Sequence, residues 1–225
     1  MQTAPDTQLI QFDNWTLRVR RPTHPTQSPR LLLLIHGWTG DENSMWVFAR
    51  DLPPHYWIVA PRAPYVTQPG GYSWRADQSE LIGNPTLAMF AAAAEALIKL
   101  VDAYQLSVKL DASPERRRID VLGFSQGAVM SSLLAFLYPQ RIRKTGILAG
   151  FVPGGLEELV AKRPLEGKPF FVAHGTKDET VPIDRARASI EILEKAGAHV
   201  TYCEDEVGHK VSLPCLRALK DFLAE

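Results

Sequence analysis

The stretch Ile119-Asp-Val-Leu-Gly-Phe-Ser125-Gln-Gly-Ala128 decides how this 225-residue chain is read. An apolar run, Ile119 to Leu122, enters it, and an apolar periodic segment, Ala128 to Tyr138, leaves it. Between them, Gly123-Phe-Ser125-Gln-Gly127 sets a serine between two glycines at two-residue spacing. A serine presented on a sharp strand-to-helix turn needs such small neighbours, because the turn is strained and the backbone is crowded there. This pattern, a nucleophile elbow, requires a strand before it and a helix after it, and both patterns are present. A base, an acid and an oxyanion hole must then come from the rest of the chain.

Outward from the elbow, strand and helix patterns alternate. Gln8 to Arg20 alternates apolar and polar residues around Asp13-Asn14 and predicts a β-hairpin. Arg21 to Arg30 holds three prolines and reads as a loop. Leu31 to Ile35 and Tyr56 to Ala60 are continuous apolar runs, as in strands covered on both faces of a parallel sheet. Asn43 to Leu52 between them has helical spacing. Pro61 to Pro85 has no period and is rich in Pro, Gly and aromatics; loops of such length inside compact domains are usually functional. Pro85 to Tyr104 predicts a helix capped by Asn84. After the elbow come strands at Thr145–Leu148, Lys168–Ala173 and Ala198–Glu204, with helices at Leu156–Lys162, Asp184–Ala196 (Asp184 as N-cap) and Leu213–Leu223. This alternation predicts a mostly parallel α/β sheet with right-handed crossovers and helices on both faces. No linker or repeat interrupts it, so residues 1–225 read as one domain, with 1–7 as a tail.

Composition narrows the function. Basic and acidic residues balance at 25 each, which counts against a nucleic-acid partner, and Arg116-Arg117-Arg118 reads as a solvated loop. The segment Ala88 to Leu100 is too short to cross a bilayer and contains Glu95 and Lys99. The polar N-terminus lacks the features of a signal peptide, giving an expected cytoplasmic location. Cys203 and Cys215, the two cysteines, make neither a disulfide framework nor a metal cluster. They are read most simply as small buried residues; a bridge between them is possible, and a cytoplasmic setting argues against it. No metal site is expected.

In sheets of this kind ligands bind beyond the carboxyl ends of the strands, so partners of Ser125 should follow strands. Among the histidines, His199 lies within a strand pattern, and His24 and His55 sit in proline-rich turns. His36 and His174 each end a strand in a His-Gly pair and suit bracing of the turn. His209, in Glu206-Val-Gly-His-Lys210 after the last strand, is placed to reach back as the base. For the acid, Asp178 follows a strand in His174-Gly-Thr-Lys-Asp178 and is favoured over adjacent Glu179, over Asp184 and over Asp205. The chain order Ser125, Asp178, His209 is that of nucleophile, acid and base on an α/β-hydrolase sheet. One oxyanion donor is then the backbone N–H of Gln126. The second is assigned to the N–H of Trp38, in the loop His36-Gly-Trp-Thr-Gly-Asp41.

These residues resemble the α/β-hydrolase carboxylesterases of the phospholipase/acyl-protein thioesterase family. The shared marks are Leu34-Ile-His-Gly37, Trp46, Ala60-Pro-Arg-Ala-Pro64, Gly71-Tyr-Ser-Trp74, Gly123-Phe-Ser-Gln-Gly127, His174-Gly-Thr-Lys-Asp178 with Val181-Pro182, and Gly208-His209. The resemblance implies hydrolysis of a small-molecule ester or thioester without a cofactor or a large lid domain. It also implies that Trp74 and its loop line the acyl pocket. Members often carry a smaller aliphatic residue where this chain has Trp38, and a glycine at Ala128. Trp38 narrows the acyl side, so short to medium acyl esters are expected rather than the long-chain substrates of acyl thioesterases and lysophospholipases. A peptidase and a non-catalytic binding protein are the rival readings on the same fold. A homodimer is compatible with the sequence.

Overall fold

The computed structural model describes residues 7–23, 29–49, 52–68, 70–77, 83–110, 113 and 117–224. Residues 1–6 of the expected tail, His24 and Arg116 lie outside them. Thr7 already belongs to the first strand.

Eight strands form one sheet in the order β1-β2-β4-β3-β7-β8-β9-β10. The hairpin β1 (Thr7–Phe12) and β2 (Trp15–Arg20) turns on Asp13-Asn14 and pairs antiparallel along one edge. From β4 (Tyr56–Pro61) onward the pairing is parallel, through β3 (Arg30–Ile35), β7 (Ile119–Phe124), β8 (Ile142–Leu148), β9 (Pro169–Gly175) and β10 (His199–Asp205). This is the mostly parallel sheet of the α/β-hydrolase fold.

Side chains alternate across the sheet, and β3 shows what that does. Leu31, Leu33 and Ile35 join one core cluster, with α2 (Leu87–Ser107) and α3 (Gln126–Leu137). Leu32 and Leu34 join the other, with α1 (Trp46–Ala49) and α6 (Leu213–Ala224). All five are buried, each worth about 1.5–3 kcal/mol against exposure. The five-residue α4 (Glu157–Ala161) follows β8, and the 13-residue α5 (Ile183–Lys195) follows β9.

Several local expectations shift. The helical spacing over 43–52 yields only the four-residue α1, preceded by turns. Residues 61–85 contain a small hairpin, β5 (Tyr65–Val66) with β6 (Tyr72–Ser73). The cap of α2 falls on Thr86 rather than Asn84, and without a side-chain bond. Its first turn docks instead, with Leu87 N–H donating to the Gly154 carbonyl at 2.9 Å. Pro182, not Asp184, caps α5, and Asp184 sits in the first turn, where the helix dipole favours a carboxylate.

The cysteines require a correction. Cys203 and Cys215 form a disulfide with Cα atoms 5.7 Å apart. Cys203 is on β10 and Cys215 on α6, and the packing of that helix beside the strand's end brings the pair together. Sequence spacing carries no trace of that approach. The bridge closes the segment that contains His209. Reduction, or the Cys203→Ala/Cys215→Ala variant, is expected to lower unfolding stability by about 2–4 kcal/mol. Urea midpoints with and without reductant measure it, and equal midpoints would contradict it.

Candidate active site

Ser125 stands between β7 and α3 with φ 55° and ψ −119°, a conformation that L-residues rarely adopt. The two glycines around it are there for room. A Cβ on Gly123 would lie 2.0 Å from the Gly127 carbonyl oxygen, and one on Gly127 would lie 2.0 Å from the Ile35 oxygen. The helix behind the serine therefore packs backbone to backbone on the elbow strand and on the end of β3. Ala128 is accommodated because its facing residue is Gly150, whose own Cβ would fall 2.4 Å from that of Ala128.

The structure brings Ser125, His209 and Asp178 together from three strand ends. His209 Nε2 is 3.0 Å from Ser125 Oγ, and His209 Nδ1 is 2.7 Å from Asp178 Oδ2. The ionised carboxylate only accepts, so Nδ1 carries the hydrogen and Nε2 presents its lone pair to the serine hydroxyl. Asp178 is 6% exposed, while neighbouring Glu179 is exposed to solvent. The other Asp178 oxygen, Oδ1, accepts the N–H groups of Thr180 at 2.9 Å and Val181 at 2.8 Å. The ring of Phe124 lies 5.0 Å from that of His209, and Phe48 stacks on Phe124.

The remaining histidines separate as their positions suggest. His199 is exposed on β10. His36 Nε2 accepts the Ala63 N–H at 3.0 Å, so its Nδ1 is the protonated nitrogen that donates to the Gly37 carbonyl at 2.7 Å. His174 Nε2 donates to the Val181 carbonyl at 2.8 Å and approaches Asp178 Oδ2 at 3.3 Å, and its buried Nδ1 has no partner among the described residues. Each ring braces a loop of the site in its neutral form, and burial pushes both below the usual histidine range. A second proton would face a backbone N–H in His36 and would have no acceptor in His174. The unfolded chain takes up those protons as pH falls through about 6.5, while the folded chain resists. Stability is therefore expected to fall as pH drops below about 6.5. Urea midpoints from pH 8 to pH 5 should show that slope, and His174→Asn should flatten it.

The loop 36–42 faces the elbow. A Cβ on Gly37 would meet Ser125 Cβ at 3.2 Å. Among the described residues, the N–H groups of Trp38 and Gln126 have no hydrogen-bond acceptor. Both residues line, with Ser125 and His209, a cavity of about 260 Å³. The loop is held by Glu42, 2% exposed, which receives Arg62 through both carboxylate oxygens at 2.7 and 2.9 Å. Burial pushes the Glu42 carboxyl up, and the Arg62 hydrogen bonds outweigh it and leave it below its ordinary range.

Trp38 and Trp74 part company. Trp38 borders the 260 Å³ cavity and also a second, of about 480 Å³, that likewise borders Ser125. Trp74, expected to line the pocket, is instead wholly buried in the core, with its indole N–H donating to the His36 carbonyl at 2.8 Å. The loop does reach the cavity, but through the next residue, Arg75. The side chain of Gln126 accounts for this placement, since its Oε1 accepts the Trp74 N–H at 2.8 Å and its Nε2 donates to Ser73 Oγ at 3.1 Å. Sequence reasoning missed this role of Gln126, and missed Phe90, Phe151 and Val181 as cavity walls. Only Arg75 carried a signal, as a cation next to the aromatics Tyr72 and Trp74 in an aperiodic loop.

Among the described residues no group of His, Cys, Asp and Glu could hold a metal ion, and no helix is long and apolar enough to cross a membrane.

Comparison with known proteins follows the same lines. The phospholipase/carboxylesterase family model matches residues 16–225. Acyl-protein thioesterase 1 of Debaryomyces hansenii is 29% identical over 201 residues, covering 80% of this chain and 82% of that protein. Carboxylesterase SOBER1 of Arabidopsis thaliana is 26% identical over 106 residues, and the match spans 46% of each chain, so about half the length of that relative. In fold, a carboxylesterase from Mesorhizobium loti superposes with a TM-score of 0.77 at 22% identity, covering 97% of this chain and 99% of the other. The Bacillus cereus carboxylesterase gives 0.77 at 20% identity, with 94% of each covered. With the match running from the second strand to the C-terminus, the chain belongs to the phospholipase/carboxylesterase family, built on the α/β-hydrolase fold.

Proposed function

We propose that this chain is a single-domain serine hydrolase that cleaves carboxylic esters of short to medium acyl chains through a Ser125–His209–Asp178 triad and an acyl-enzyme. The observation that carries this reading is His209, hydrogen-bonded at 2.7 Å to a buried carboxylate and at 3.0 Å to the elbow serine. His209 Nε2 takes the Ser125 proton as Oγ attacks the ester carbonyl, and Asp178 holds the ring and stabilises the imidazolium. The free N–H groups of Trp38 and Gln126 receive the oxyanion of the tetrahedral intermediate. His209 then protonates the leaving alcohol, and water enters by the same route to release the acid and restore Ser125.

Trp38 lines both cavities that border Ser125, and the smaller, of about 260 Å³, falls just below the usual range for ligand sites. That small volume favours a compact acyl group over the long chains of a protein thioesterase or lysophospholipase. The thioester reading keeps support from the Debaryomyces relative, and the two predict opposite trends. Turnover of 4-nitrophenyl esters and matched thioesters of rising acyl length decides between them: kcat/KM should decline along the series, and a rise would overturn the short-acyl assignment. A fluorophosphonate probe should form its adduct at Ser125, and an unlabelled serine would remove the hydrolase reading altogether. The Cys203–Cys215 bridge counts against the expected cytoplasmic setting, because reducing compartments keep such pairs as thiols.

A further inference from the structure

Several cations drawn into this fold have partners. Partly buried Arg143 donates to Asp120 at 2.8 Å, Arg62 holds Glu42, and buried Lys144 donates to the Phe222 carbonyl. Arg75 differs. It is 3% exposed, its Nε is buried without an acceptor, and among the described residues its guanidinium has neither an ion pair nor a hydrogen bond. It lines the same cavity as Ser125, Gln126 and His209, among walls that are otherwise mainly apolar.

Its position is built. Ser73 Oγ donates to the Arg75 carbonyl at 3.0 Å and accepts the Arg75 N–H at 3.2 Å. The same hydroxyl accepts from Gln126 Nε2 at 3.1 Å, so the residue after the nucleophile fixes the backbone that carries the guanidinium. Gly71 allows the hairpin to seat there, since a Cβ on it would fall 1.9 Å from the Thr39 oxygen. A second cation stands behind one of these walls: the Arg185 guanidinium lies 3.5 Å from the centre of the Phe151 ring, and Phe151 lines the cavity.

A desolvated guanidinium without a partner is costly, and its planar fork suits a carboxylate presented in the plane. Resting on the ester-hydrolase reading above, we propose that the cavity takes esters that carry a free carboxylate, with that carboxylate paired to Arg75 while the scissile carbonyl sits at Ser125. The substrate class is then the half-esters of small dicarboxylic acids, or esters of carboxylate-bearing alcohols. The apolar walls hold the carbon segment between the two ends, and the charge specifies the far end. A neutral ester fills the same space and leaves the guanidinium unpaired, which is the source of the discrimination.

The test compares matched pairs in the intact chain. Mono-4-nitrophenyl glutarate against 4-nitrophenyl pentanoate places the charge in the acyl half. 4-Carboxyphenyl butyrate against phenyl butyrate places it in the leaving half. In one pair, kcat/KM for the anionic ester should exceed that for the neutral one by about 10- to 100-fold. The ratio should collapse in Arg75→Gln and recover in part in Arg75→Lys. Equal rates in both wild-type pairs, or a ratio unchanged in Arg75→Gln, would overturn the proposal. Should Arg75→Gln fail to fold, inhibition of wild-type pentanoate hydrolysis decides. Glutarate should compete and glutaramide should not, whereas equal inhibition, or inhibition by inorganic phosphate alone, refutes a carboxylate site. A wild-type protein that hydrolyses none of these esters and takes no fluorophosphonate at Ser125 would instead refute the hydrolase reading itself.

Discussion

Replacing Ser125 with alanine is expected to lower kcat/KM for 4-nitrophenyl butyrate by about 10⁴- to 10⁶-fold. The change removes the attacking oxygen and leaves the rest of the site in place. Ser125 Oγ makes its hydrogen bond to His209, while the elbow itself is held by backbone contacts, including Ser125 N–H to the Leu148 carbonyl at 2.9 Å. The positive φ is as strained for alanine as for serine, so the urea midpoint should stay within about 1 kcal/mol of the parent. The burst of 4-nitrophenol that marks acyl-enzyme formation should vanish with the steady state. Turnover that survives in Ser125→Ala would mean that another nucleophile or a bound water does the chemistry, and the triad would have to be abandoned.

Asp178→Asn should cost about 10⁴-fold in kcat while leaving the fold intact. The reason lies in the backbone around residue 178. Thr180 and Val181 both aim N–H groups at Oδ1, so an amide there must put its carbonyl oxygen on that side. The NH₂ then faces His209 Nδ1, which can only accept it. The proton moves to Nε2, and the nitrogen that should take the Ser125 proton already carries one. A merely structural Asp178 would show the opposite balance, with a lost urea midpoint and a proportionate loss of activity. Activity near the parent value in a folded Asp178→Asn protein would point to another acid, and exposed Glu179 would be the first to examine by substitution.

Much of this architecture was legible from short-range pattern. Continuous apolar runs such as Leu31–Ile35 mark strands covered on both faces, and Asp13-Asn14 marks a two-residue hairpin turn. Ser125, Asp178 and His209 could be named because each follows a strand, and parallel strands in one sheet deliver their ends to one side. Other features depended on distance in the chain. Trp74 looked like a pocket residue because large aromatics in aperiodic loops often are. Its burial follows from an indole bond to His36, 38 residues away, which no local pattern encodes. The four-residue α1 shows helical spacing overridden by the turns that tie Asp41, Asn43 and Ser44.

By itself, then, the sequence determined the order of strands and helices, the elbow at Gly123–Gly127, and the three residues that converge on it. These rest on periodicity, turn chemistry and the polarity of a parallel sheet, all of which act over a few residues. Only the tertiary structure decided that Cys203 meets Cys215, that Trp38 lines two cavities at Ser125, and that Arg75 rather than Trp74 lines the cavity with the serine. Those depend on which long loops and helices come to lie against each other. Adjacent residues of one loop can point to core or to cavity, and what selects between them is a partner far along the chain, here the side chain of Gln126.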